Sequence, residues 1–361
     1  MIKIKLPQTL VDKHWDWFQK ILDDKEDWSQ PKKEQPNIDD SKKTTRRQFI
    51  YSQFGFTKDD QIKKLICAKY GEMRKLIPQS RYLSKTFYNR NDKRGQGQTR
   101  ISEEDRNALI RAFGYEEFTD LDEPHQWGAY SFFERLGVNV CPYCNRQYIF
   151  TITKNKRVKS TTSSLSSKNR LIRPQVEHFF PKSKYPYLSC SIYNLVPGCS
   201  ICNSKKSTVD TFLNPMIYPY REEFGKKGHF FVDFDVDKIK ERDDAKFEKE
   251  LEDDIQVRIL PDDGSKLDAK IKKSIKQLIL EELYSCHKVE VKNILKRYRM
   301  STLSNISRYD GMKLDSKLAK DIILGLPIHG NAVYPLQKLN EDIIEQLAVG
   351  KKRILGKNRI R

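Results

Sequence analysis

Leu10, Val11, Trp15, Phe18, Ile21 and Leu22 recur at the three- and four-residue spacing of one helix face, with Thr9 placed to cap it. The pattern predicts an opening helix whose buried face needs a partner elsewhere. From Trp28 to Gln48 the chain turns polar and is interrupted by prolines, which reads as a linker. Helical spacing returns at Lys58–Met73 and Ser102–Phe113, on either side of the glycine- and arginine-rich "NDKRGQGQTR". It returns again from about Trp127 to Leu136, where Gly137 suits a left-handed C-cap. The pattern in "VNVCPYCNRQYIFTIT" is extended instead, and "KSTTSSLSSKN", Lys159 to Asn169, has nothing to bury and reads as an insert between two strands.

Strand-like runs follow at His229–Val236 and Ile255–Leu260. Ser265 then opens a long helix with Leu267, Ile271, Ile275, Leu278, Ile279, Leu283, Cys286, Ile294 and Tyr298 on one side, and a break is expected near Ser285. Helices at Asp315–Leu324 and Leu339–Val349 precede the basic tail "KKRILGKNRIR". The expected class is α+β, a mainly helical chain in three parts. Residues 1–125 form a helical region, 126–215 a module with the extended segments, and 216–361 a helical region with short strands, suited to substrate or partner binding.

Composition sharpens this picture. With 361 residues, 37% hydrophobic and 32% charged, the chain is polar, yet 4 Trp, 17 Tyr and 18 Phe supply enough core for a globular protein. A net charge of +19 favours a polyanionic partner, nucleic acid first, over a merely solvated lysine-rich surface. The excess is concentrated: between Cys141 and Asp210 twelve Lys or Arg face two acids, Glu177 and Asp210. No apolar run has signal-peptide or bilayer-spanning length, so the expectation is a cytoplasmic protein without membrane contact. In that compartment the seven cysteines read as metal ligands and buried singletons rather than disulfides.

Cys141-Pro-Tyr-Cys144 and Cys199-Ser-Ile-Cys202 have the spacing that lets two thiolates of one tight turn meet a tetrahedral ion. Together they predict a structural Zn²⁺ with no coordination place left for water or substrate. Cys67, Cys190 and Cys286 fall outside the pattern and read as small hydrophobes. Within this frame Glu177 stands beside His178, the lone imidazole there. In an extended strand neighbouring side chains face opposite ways, so one of the pair could hold a divalent ion while the other activates water. His14, His125, His229, His287 and His329 have no such setting and read as structural.

"CPYC", "VEHFFPKS" and "YNLVPGCSICNSKK" resemble the HNH endonucleases, the ββα-metal fold, in the cysteine-framed form found in Septu and retron-associated anti-phage systems. The likeness covers about Cys141 to Asp210. It implies that His178 is the general base, Glu177 the metal ligand in place of the usual Asp, Asn194 the loop brace and Asn203 the second ligand to catalytic Mg²⁺ or Mn²⁺. Arg146, Lys182, Lys184, Lys205 and Lys206 are the expected phosphate contacts, DNA the expected substrate, and an ATPase subunit the partner that the resemblance implies. The alternative is a zinc-ribbon nucleic-acid-binding or interaction subunit without independent catalysis.

Overall fold

Helix α1 (Gln8–Ile21) buries Leu10, Val11, Trp15, Phe18 and Ile21 on the anticipated face, together with His14 and Trp17. Its start differs from the expectation, because Pro7 holds the N-cap position and Thr9 lies inside the first turn. A proline suits the place: its φ is already fixed and its missing N–H would have had no partner there. The computed structural model describes residues 1–28, 39–79, 102–120, 127–153, 170–234, 243–252, 255–261, 266–303, 325 and 334–349. The expected glycine- and arginine-rich loop, the insert at Lys159–Asn169, the helix at Asp315–Leu324 and the basic tail lie outside these residues.

His14 is fully buried and its protonation state follows from its partners. Trp127 Nε1–H donates to Nδ1 at 3.0 Å, and Nε2 lies 2.8 Å from the Cys190 carbonyl oxygen. An indole only donates and a carbonyl only accepts, so the proton is on Nε2 and the ring is neutral. Burial pushes its pKa down to about 4 from 6.5, against a smaller upward effect of the Cys190 carbonyl. The unfolded chain therefore binds a proton that the folded chain refuses: this stability is complete above pH 6.5 and drains away as pH falls toward 4. The loss is roughly 3 kcal/mol. Urea unfolding at pH 7 and pH 4 should show it, and His14→Gln should flatten the acid limb; an unaltered limb in the variant would assign the loss to other groups.

The segment read as a linker folds in part. Strand β1 (Lys25–Glu26) pairs antiparallel with β2 (Thr44–Thr45), and α2 (Arg46–Phe54) follows at once. Thr45 and Gln48 form a reciprocal capping box, a signal hidden within polar sequence. Trp28 is buried, with the guanidinium groups of Arg46 and Arg111 5.4 and 5.8 Å from its ring centroid. The amphipathic run Lys58–Met73 is likewise two helices, α3 (Asp59–Ile66) and α4 (Tyr70–Gln79), parted after the C-cap at Cys67. Then come α5 (Glu103–Ala112), capped by the Ser102 side chain, α6 (Tyr115–Thr119) and α7 (Ala129–Leu136). Gly137 ends α7 in the left-handed region at φ 68°, as its position suggested.

Strands β3 (Ile152–Thr153) and β4 (Arg170–Ile172) pair antiparallel. Strand β5 (Gln175–His178) pairs antiparallel with β6 (Leu195–Gly198), setting Glu177 opposite Val196 and His178 opposite Leu195. Helix α8 (Ser200–Lys206) begins one residue after β6. These elements belong to a unit of residues 3–142 and 149–222.

A second unit takes in residues 1–2, 143–148 and 223–361. Its hairpin, β7 (Gly228–Val232) and β8 (Val257–Pro261), encloses α9 (Asp244–Glu252) in sequence. The expected long helix is broken twice, into α10 (Lys266–Gln277), α11 (Leu280–Ser285) and α12 (Lys288–Leu303). One break lies beside Ser285, as anticipated; the other is at Ile279, which adopts the left-handed φ of 46°. That strained turn lets Leu278, Leu280 and Tyr284 all stay buried. Helix α13 (Gln337–Val349) lies along β7, where Gln346 accepts from Val232 N–H and donates to its carbonyl, and Asp342 accepts from Phe230 N–H. Side chains thus satisfy backbone groups at the strand edge that another strand would otherwise take. Among the described residues no helix is long and apolar enough to cross a membrane.

Candidate functional site

The four cysteines of the two Cys-x-x-Cys motifs come together. Cys141, Cys144, Cys199 and Cys202 are all buried, and their sulfurs lie within 4.8 Å of one another. Main-chain N–H groups donate to three of the sulfurs at 3.4 Å: Cys202 to Cys199 and Arg146 to Cys144 within their own turns, and Cys199 to Cys141 across 58 residues. Such donors favour the thiolate form that metal binding requires. Four soft ligands, no imidazole or carboxylate among them and all withdrawn from solvent, fit a tetrahedral zinc ion.

Glu177 and His178 end β5, so the pairing with β6 fixes both main chains. Glu177 is 2% exposed and its Oε1 lies 2.5 Å from Lys206 Nζ, an ammonium with no exposure at all. The same ammonium donates to the His178 carbonyl at 2.7 Å, so α8 is tied to β5 through one lysine. Lys206, expected at phosphate, is therefore an interior ion pair. No local pattern distinguished it from its exposed neighbour Lys205; only its place on the inner side of α8 does.

His178 is also enclosed. Its Nε2 lies 2.8 Å from the Ser189 carbonyl oxygen, which places the proton on Nε2 and the lone pair on Nδ1. Burial, and then the charges of Lys182 and Lys206, push its pKa down to about 3, so the ring is neutral throughout the physiological range. The Tyr115 ring lies 4.9 Å from it, and Lys182 Nζ sits 3.9 Å from the centroid of that same tyrosine. Tyr115 on α6 was not foreseen as a neighbour, since more than sixty residues separate it from the histidine and nothing in its own sequence marks it.

Asn194 is fully buried and every polar atom of its amide is used. Its Nδ2 donates to the carbonyls of Phe180 and Leu188 at 3.0 and 2.9 Å, while Oδ1 accepts from Phe180 N–H at 2.7 Å. One side chain thereby closes the loop that leaves His178. Asn203 is half-buried in α8, one turn before Lys206. It does not cap the helix; Cys199 holds that position. Among the other cations, Lys184 Nζ lies 3.8 Å from Asp210, and Lys205 is exposed. Arg146 is engaged by the Leu283 carbonyl and by His287 Nε2 at 3.3 and 2.8 Å.

No family model and no solved structure matches the chain. A curated protein matches a short stretch. Over 45 residues the chain is 49% identical to the Septu protein PtuB of Bacillus thuringiensis. The likeness to PtuB takes in 12% of this chain and spans 18% of PtuB, less than a fifth of that protein. PtuB is thus a relative of one segment of the chain.

Proposed function

We propose that the chain is an HNH endonuclease, a metal-dependent phosphodiester hydrolase acting on DNA as an effector of anti-phage defence. The observation that carries this is the β5–β6–α8 hairpin and helix beside a four-cysteine cluster, with an adjacent acid and neutral imidazole at the end of its first strand. The partial likeness to the Septu protein PtuB supports the defence setting.

In this reading Nδ1 of His178 takes the proton of the attacking water, because Nε2–H is already given to the Ser189 carbonyl. Asn194 holds the loop behind the imidazole, so that the ring keeps one orientation. Glu177 and Asn203 offer the hard oxygens that Mg²⁺ or Mn²⁺ takes, and such an ion supplies Lewis acidity to the phosphodiester. Lys206 fixes the carboxylate of Glu177 from within. Exposed Lys205 and the half-buried pair Lys182 and Lys184 remain the phosphate contacts of choice.

A second reading, nucleic-acid binding without catalysis, draws on the same ion pair: Lys206 already neutralises Glu177, and His178 is enclosed by Tyr115. Supercoiled plasmid incubated with Mg²⁺ or Mn²⁺ separates the two, with and without the ATPase subunit proposed as partner. Wild-type protein should nick it, and His178→Ala should nick about 10²–10⁴-fold more slowly while binding DNA as tightly. Equal nicking by both proteins would remove the base from His178.

A further inference from the structure

In the second unit, strand β7 and helix α13 bring together His229, Asp342 and Glu345. One ligand atom from each lies within 4.8 Å of the others. Asp342 and Glu345 are three residues apart on α13 and so share a helix face. They open onto a cavity of about 420 Å³ that Lys338, Glu341 and Asn145 also line. In a chain of net charge +19 this is a local concentration of carboxylates around an imidazole.

The orientation of the imidazole is decided from outside the group. His229 Nε2 lies 2.7 Å from the Lys226 carbonyl oxygen, which only accepts, so Nε2 carries the proton. The lone pair of Nδ1 is left facing Asp342 Oδ1 at 3.7 Å. Histidines that bind metals are oriented in this way, the far N–H given to a main-chain carbonyl. Asp342 is fixed as well, because Phe230 N–H donates to Oδ2 at 2.7 Å and Lys338 Nζ reaches both oxygens at 2.8 and 2.9 Å. Oδ1 accepts one of these bonds and keeps a lone pair on the side of His229.

The three ligand atoms are close enough to share one cation, beside the ammonium of Lys338 that already holds Asp342. Two donors bound at about 2.1 Å to a single tetrahedral ion stand about 3.4 Å apart, close to the separation of His229 Nδ1 and Asp342 Oδ1. One nitrogen with two carboxylates suits a borderline divalent ion; Mg²⁺ and Ca²⁺ prefer all-oxygen shells, and Cu⁺ prefers sulfur. We propose that His229, Asp342 and Glu345 form a second metal site, for a divalent transition ion such as Zn²⁺, distinct from the four-cysteine cluster. Water from the open cavity completes its shell, so the ion exchanges with solvent whereas the sulfur-bound one does not.

Protein that already holds one equivalent of zinc should take up a second on titration with Zn²⁺, read by calorimetry. His229→Ala and Glu345→Gln, both at side chains that reach solvent, should weaken that second event at least about tenfold and leave the melting temperature in metal-free buffer unchanged. With Co²⁺ as the second equivalent, the added absorption should be weak and visible, without the intense near-ultraviolet band of a thiolate complex. Absence of a second equivalent, wild-type affinity in both variants, or a second cobalt that shows the thiolate band would each overturn the site.

Discussion

Cys202→Ser, or removal of the metal by a chelator, is expected to unfold β5, β6 and α8 rather than merely weaken them. The reason lies in magnitudes. A structural zinc contributes about 10–16 kcal/mol to small modules that close around it, whereas the stability of a whole domain is about 5–15 kcal/mol. If the cysteines were only small buried hydrophobes, one serine among them would cost about 1–3 kcal/mol. The hairpin is short, with four residues in each strand, and α8 has seven, so these elements hold little cooperative stability of their own. Near-ultraviolet circular dichroism of the packed rings Phe179, Phe180 and Tyr185 reports the outcome. Wild type should carry one tightly held zinc and melt cooperatively, and the variant should lose both properties. A variant that melts within a few degrees of wild type would refute a structural ion here.

The second large effect lies at Lys206. Its ammonium and the Glu177 carboxylate are both withdrawn from water, and removing one partner of such a pair costs about 3–5 kcal/mol, because the other charge stays behind uncompensated. Lys206→Met should lose this much in chemical denaturation, and it also takes a donor from the His178 carbonyl. Adding Glu177→Gln should return a good part of the loss, since the buried charge is then gone too. A coupling near zero across the four proteins would show that water reaches the pair. The same contact bears on function: any cation that approaches Glu177 must share the carboxylate with Lys206.

The sequence was most legible where a local pattern has a single physical reading. The faces of α1 and α7, the glycine that ends α7, and the two Cys-x-x-Cys turns all follow from spacing within a dozen residues. It was least legible where distant residues decide. Trp28 opened a stretch that read as a linker, yet it is buried, with Arg46 and Arg111 over its ring. Helical periodicity runs through Ile279 without interruption, yet the backbone turns there so that both flanking leucines stay inside. At the candidate site, the neighbouring Glu177 and His178 stood out at once, but their partners Lys206, Ser189 and Tyr115 belong to other elements. His229 read as structural, and its carboxylate neighbours lie over a hundred residues further on.

The amide of Asn194 has a consequence for the ageing of the protein. Two main-chain carbonyls face its nitrogen, so spontaneous deamidation to aspartate would set an anionic oxygen against both of them. A change of one atom group, invisible to most assays of size or shape, would thus push open the turn behind the imidazole. Molecules so altered would lose whatever depends on that turn while still looking intact.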